Sequence, residues 1–269
     1  MKIAHEAPLS VMHRLMQVTD YDYALVHLFE ESHAYHNYFV DALKRGRYVI
    51  LDNSIFELGV AFDSEQFAAW VRHLKPSAYI VPDVLEDIDG TISNWKDWQK
   101  NYSDLRGNKI GVVQGKTEQE IVDCYKYMAQ EADVVAISFD YSWYEKCFPA
   151  EKNKFFSWMK GRQYLIDLLI DEKLINYDKP HHLLGCGLPQ EFAHYKGEKY
   201  DFIDSLDTSN PVVHGIYGVK YGDDGLWSKE SQKLYELINS EVEDINIIKN
   251  NIQKFRWLAN GRHKVDSVL

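Results

Sequence analysis

Short β-branched runs in this chain end on polar residues. YVILD closes on Asp52 and AYIVPD on Asp83. KIGVVQG closes on Gln114 and Gly115, and DFIDSLD carries Asp204 with Asp207 just beyond. Taken singly, an aspartate after a strand is commonly a helix N-cap or a turn residue. Several such ends on one face are a different matter, because carboxylates gathered in a low-dielectric site repel, a cost typical of working sites. Two carboxylates flanking one point are the equipment for breaking a glycosidic bond: one attacks the anomeric carbon and the other handles protons. Asp204, inside the strand-end run FIDSLD, is the better candidate nucleophile. Asp207 reads as a turn residue or a support for its neighbours.

The residues nearby suit a planar ligand. Phe56 follows Asp52 by four positions in LDNSIFELG, and its ring either stacks on a base or anchors the loop. In LLGCGLP, Gly185 and Gly187 flank Cys186 and permit close backbone approach or a tight turn. His33/His36 and His181/His182 lack metal-site spacing, and the sequence has no P-loop, no GxGxxG after a strand and no GxSxG elbow. We therefore expect neither a metal nor a redox cofactor.

Positioning these residues requires strands alternating with helices. The expected strands are Lys2–His5, Ala24–Leu28, Tyr48–Asp52, Ala78–Asp83, Lys109–Gln114, Val134–Phe139, His182–Gly185 and Phe202–Ser205. Between them, Ser64–Leu74 repeats Phe67, Trp70, Val71 and Leu74 at helical spacing, with Asp63 and Gln66 as a capping box. Thr117 and Glu120 repeat that signature ahead of Ile121, Cys124, Tyr125 and Met128. Further helices are expected over Lys154–Ile170 and from Ile245 to a C-cap at Gly261. Such alternation predicts a parallel sheet with helical crossovers, and eight strands favour an α/β (β/α)8 TIM-type barrel of one domain, residues 1–269. Its strand ends would converge on one face, with long loops over it at Asp140–Glu151 and Thr208–Trp227.

Composition bounds the function. The chain has 269 residues and a net charge of −11, which argues against a general nucleic-acid coat but leaves room for a local basic groove. Candidate phosphate contacts are Lys44, Arg45 and Arg47; Lys152, Lys154, Lys160 and Arg162; and Arg256, Arg262 and Lys264. Its three cysteines form no CxxC pair, so a disulfide framework is not expected. The start lacks a signal-peptide core and no apolar run approaches a membrane span, so a cytoplasmic location without membrane contact is expected.

In order and approximate spacing, the motifs resemble the tRNA-guanine transglycosylase family of zinc-bearing barrels. Those enzymes exchange guanine for a 7-deazaguanine through a covalent aspartyl–sugar intermediate. The family carries DSGGF/Y-Q, an Asp-ending strand, VQGG, a glycine pair, LMGVG and FDxxxPTR. Here DNSIFE stands at 52–57, PDV at 82–84, VVQGK at 112–116, LLGCGLPQEF at 183–192 and FIDSLDTSNPVVHG at 202–215. The resemblance implies that Asp204 is the nucleophile and Asp52 the acid/base beside the leaving base. Asp83 and Gln114 would read the base edge, Phe56 and Leu184 would sandwich it, and Gly115 and Gly185 would allow close backbone approach. Asn53 and Glu57 fall where the family contacts sugar or backbone.

The departures are as informative. No cysteine follows Cys186, so the family's CxCxxC…H zinc cluster is missing; PTR is replaced by TSN at 208–210; and the glycine pair is replaced around Ser138, Phe139 and Asp140. The chain is most similar to short zinc-free DNA transglycosylases. The expected partners are nucleic acid, DNA favoured over tRNA, and a free guanine or 7-deazaguanine base; a homo-oligomer is left open. The alternatives are a tRNA-acting enzyme, an N-glycosyl hydrolase on the same barrel, an unrelated sugar hydrolase and a non-catalytic binding subunit.

Overall fold

The computed structural model describes residues 1–149, 151–228 and 233–261. Eight parallel strands with helices between them form a nearly closed (β/α)8 TIM-type barrel, as the alternation predicts. They are β1 (Lys2–His5), β2 (Asp22–Leu25), β3 (Val49–Asp52), β4 (Ala78–Ile80), β5 (Asn108–Val112), β6 (Val134–Ser138), β7 (His181–Leu184) and β8 (Ile203–Thr208). The hydrogen-bonded order is β1-β8-β7-β6-β5-β4-β3-β2. Among the described residues no helix is long and apolar enough to cross a membrane.

Packing divides the chain into two compact units. One comprises Tyr21–Ile137 and Asp178–His182. Here the helix Ser64–Leu74 starts where Asp63 accepts hydrogen bonds from the Glu65 and Gln66 amides, and it buries Phe67, Ala68, Val71 and Leu74. Phe67 and Trp98 close on Tyr79 of β4, with ring centroids 6.3 and 5.8 Å away. Tyr79 thus points to the helices, and the period-two pleat turns Ala78 and Ile80 the other way. The helix Glu118–Glu131 begins at Thr117, whose hydroxyl accepts from the Glu120 amide, and buries Ile121, Cys124, Tyr125 and Met128. Each large apolar side chain so buried contributes about 1.5–3 kcal/mol.

The other unit comprises Met1–Asp20, Ser138–Tyr177 and Leu183–Leu269. In it β1 and β8 pair from Lys2 opposite Ser205 to His5 opposite Thr208. The helix Asn246–Asn260 packs on this pair through Phe255, whose ring meets His5; it buries Ile248, Ile252, Phe255 and Leu258 and closes at Gly261.

Several boundaries differ from expectation: β4 ends at Ile80 rather than Asp83, β5 at Val112 rather than Gln114, and β7 covers His181–Leu184 rather than His182–Gly185. β2 covers Asp22–Leu25 rather than Ala24–Leu28, because Asp22 through Leu25 pair with Val49 through Asp52. β8 runs on to Thr208 rather than stopping at Ser205, because β1 supplies a partner for every residue from Ser205 to Thr208. Both expected long loops contain helices: Ser142–Cys147, anchored by buried Trp143 and Tyr144, and Asn210–Ile216, which starts on Pro211.

His5 at the end of β1 is buried with neither ring nitrogen hydrogen-bonded, its ring edge-on to Phe255 at 5.8 Å. Burial, with the nearby Arg256 charge, lowers its pKa to about 3. A depressed folded-state value gives stability that is present above the unfolded pKa and is lost as pH falls toward the folded one. Between pH 7 and 4 the unfolded histidine takes up a proton that the folded one refuses, a loss of about 3 kcal/mol. We predict that His5→Leu removes this share of acid destabilisation in urea titrations at the two pH values. An unchanged acid loss in the variant would contradict the assignment.

Candidate active site

In the first unit, the ends of β3, β4 and β5 are tied into one hydrogen-bonded group. β3 delivers Asp52, whose Oδ1 accepts from the Ser54 amide at 2.5 Å and whose Oδ2 accepts from the Tyr23 hydroxyl of β2. The Tyr23 ring stacks on His182 at 5.9 Å. The next residue, Asn53, is fully buried; its Oδ1 accepts from the Ile55 amide at 3.0 Å and its Nδ2 donates to Asp83 Oδ1 at 2.8 Å. The other Asp83 oxygen accepts from Gln114 Nε2 at 2.6 Å, and Gln114 Oε1 accepts from the Glu86 amide at 2.8 Å.

Two non-glycine residues in left-handed backbone complete the group: Ser54 at φ 61° and Glu86 at φ 53°. This conformation costs roughly 1–2 kcal/mol for an L-residue and persists where its surroundings enforce it, commonly at functional sites. Here each strained residue aims its amide at a site side chain: Ser54 at Asp52, Glu86 at Gln114. Burial raises the Asp83 pKa, and the hydrogen bonds from Asn53 and Gln114 oppose that rise. Both oxygens retain lone pairs and Gln114 Nε2 retains a second hydrogen. The group can therefore accept from ring N–H and amino donors while donating to a carbonyl, the pattern on a purine edge.

Ser54 also starts the one-turn helix Ile55–Leu58, on which Phe56 is 42% exposed. It thus presents part of an aromatic face to solvent rather than sitting in the core. Gly115 has a packing reason: a Cβ there would lie 2.8 Å from the Ile121 amide, blocking the seat of the following helix.

In the second unit the two aspartates of β8 separate. Asp204 is the second residue of the strand, at its amino end, 42% exposed and paired with Lys2 at 3.1 Å. The expectation that it ends the strand is corrected: β8 continues four residues beyond it. Asp207 lies three residues further, so the pleat turns it to the opposite face. Asp204 shares its face with Thr208, whose register partner His5 packs under the Asn246–Asn260 helix. Asp207, near the carboxyl end, is buried and accepts from the Gly185 amide at 3.2 Å. Leu184 is half-buried at the end of β7. Gly185 adopts φ +64°, and a Cβ on it would strike the Phe139 ring at 2.5 Å, so only glycine fits.

Most candidate phosphate contacts are engaged otherwise. Arg162 is fully buried on Glu191, Arg47 binds Asp22 at 2.5 Å, and Arg256 binds Asp20 at 2.9 Å. Lys44 pairs with Asp41 and Lys160 with Glu151. Lys152 and Lys154 stand over the Trp227 and Trp158 rings at 4.1 and 4.8 Å. Arg262 and Lys264 lie outside the described residues.

The structure thus brings Asp52, Asn53, Asp83 and Gln114 together in one unit, and Gly185 together with Asp207 in the other. Tyr23, Ser54 and Glu86 belong to this hydrogen-bonded group and were missed by the sequence reading. Tyr23 fell outside the expected β2, though the alternation in YDYAL would have included it. Ser54 and Glu86 carry no type signal for positive φ.

We predict that Gln114→Leu, which strips one donor from Asp83, destabilises the protein by about 2–3 kcal/mol near neutral pH. A raised folded-state pKa gives stability that is full below the unfolded value and is lost as pH rises through the folded one. The variant raises that pKa further, so its deficit should narrow on acidification as Asp83 protonates. Urea midpoints from pH 8 to 4 measure this, and a pH-independent deficit would refute the role given to Asp83. In comparisons with known proteins, no family model and no curated protein sequence matches the chain.

Proposed function

We propose that the chain is a base-exchanging transglycosylase that replaces guanine in a nucleic acid, DNA in preference to tRNA, with a 7-deazaguanine derivative. The observation that carries this reading is the buried Asp83–Gln114 pair, fixed across adjacent strand ends with free acceptor and donor capacity matched to a purine edge. Phe56, on the turn directly after Asp52, supplies an exposed aromatic face of the kind on which bases stack. DNA is preferred because no cysteine follows Cys186 to build the cluster that tRNA-acting relatives carry.

In the proposed reaction the target nucleotide leaves the stack, at a cost of a few kcal/mol offset by stacking and hydrogen bonding in the pocket. The attacking carboxylate is Asp207 rather than Asp204. Asp207 sits near the carboxyl end of β8, where barrel enzymes keep their chemistry, and a backbone amide orients it. Asp204 sits at the amino end on an exposed ion pair. An Asp207 oxygen bonds to C1′ as the C1′–N9 bond breaks, and its electron pair leaves with the purine. The departing base takes up a proton, and the incoming base gives one up as its nitrogen attacks C1′ and releases Asp207. Two displacements retain the anomeric configuration.

The test is incorporation of radiolabelled guanine into duplex DNA, single-stranded DNA and bulk tRNA by wild type, Asp207→Asn and Asp204→Asn. We expect incorporation into DNA, a loss of at least about a thousandfold in Asp207→Asn, and near-wild-type activity in Asp204→Asn. Incorporation into tRNA alone would reverse the substrate preference. Base release without incorporation would indicate a hydrolase, and no reaction with any polymer would overturn the proposal.

A further inference from the structure

Arg162 has no place in the reaction above, yet its guanidinium is wholly buried and hydrogen-bonded to a carboxylate and two carbonyls. It lies on the helix Lys154–Asp171 at 0% exposure, against Glu191 at 1%. Its Nε donates to Glu191 Oε1 at 2.6 Å and its Nη2 to Glu191 Oε2 at 3.0 Å. The rest of the guanidinium turns to the chain just after β7: Nη1 donates to the Leu184 carbonyl at 2.8 Å and Nη2 to the Gly185 carbonyl at 3.0 Å. Glu191 is fixed in turn by the Tyr195 hydroxyl at 2.8 Å. Burial alone would lower the Arg162 pKa, but the Glu191 carboxylate beside it, with Tyr195 and Tyr144, more than reverses this.

A buried ion pair of this kind is weak evidence for stability, since apolar residues of similar volume often serve as well or better. What apolar residues cannot do is hold two consecutive carbonyls. The Leu184 carbonyl belongs to the same peptide unit as the Gly185 amide, which donates to Asp207 Oδ1 at 3.2 Å. That unit is planar, and its C=O and N–H point in opposite directions. Fixing the oxygen on Arg162 therefore aims the N–H at Asp207. Gly185, at φ +64° with the Phe139 ring against it, has no side chain to pin the peptide, so orientation must come from the carbonyl side.

We infer that Arg162, together with Glu191, is a positioning residue that orients Asp207 through the Leu184–Gly185 peptide; the role of Asp207 in this inference rests on the proposed function. Arg162→Lys retains charge but not the planar fork needed for two carbonyls and two carboxylate oxygens. Arg162→Met/Glu191→Met removes both charges and preserves apolar volume, so it separates positioning from an unpaired buried charge.

The experiment measures amide hydrogen exchange and steady-state base exchange on wild type and both variants. Protection of Ile137 and Leu206 reports that the neighbouring strands remain folded. In the double variant we expect Gly185 to exchange at least about tenfold faster while strand amides stay protected. We expect kcat to fall about a hundredfold, as for a misplaced reacting group, with KM for nucleic acid within about threefold. Arg162→Lys should show the same pattern, milder in degree. Unchanged Gly185 protection would overturn the inference, and so would lost protection with unchanged kcat. If wild type exchanges no base, the proposed function falls, and Gly185 protection alone then decides whether Arg162 orients the peptide.

Discussion

The arrangement of the first unit depends on one buried carboxylate. Asp83 is almost wholly buried, and burying such a group in the absence of partners would cost several kcal/mol. Its two oxygens are instead shared between Asn53, just beyond β3, and Gln114, just beyond β5. The carboxylate therefore joins three successive strand ends, and each amide that serves it is itself held by backbone amides of the adjoining turn. The left-handed Ser54 and Glu86 follow from this constraint, since the chain must turn back sharply to bring those amides to bear. Asp52 and Phe56 take their places from the same turn.

The second unit uses the opposite charge to similar effect. Buried Arg162 collects the Leu184 and Gly185 carbonyls and Glu191, and the peptide so held donates to Asp207. In both units a charged group buried beside the end of a strand anchors a hydrogen-bonded network that reaches a candidate site carboxylate or its neighbours. Precision thus comes from charge-assisted hydrogen bonds rather than from apolar packing, which is less directional.

The barrel was legible because its signals are local. Asp63 and Thr117 cap helices as their spacing implies, and Ile121, Cys124, Tyr125 and Met128 form the buried stripe that their period requires. Asp52 was legible as a polar strand end, and Asp83 and Gln114 as polar residues that follow strands, though β4 and β5 stop at Ile80 and Val112. The two carboxylates of β8 were not, because strand length depends on a partner: only pairing with β1 carries β8 to Thr208 and moves Asp207, rather than Asp204, to its carboxyl end. Arg162 was read as a candidate phosphate contact because nothing nearby in sequence announces Glu191, 29 positions away. Long-range pairing of this kind leaves no periodic trace.

In the proposed reaction Asp207 is the carboxylate that becomes bonded to sugar. The most direct measurement is to incubate the protein with guanine-containing DNA in the absence of an incoming base, quench with acid, and locate any covalent sugar adduct by peptide mass spectrometry. The account predicts an adduct on Asp207, absent from Asp207→Asn. An adduct on Asp204 or Asp52, or one that persists in Asp207→Asn, would contradict it.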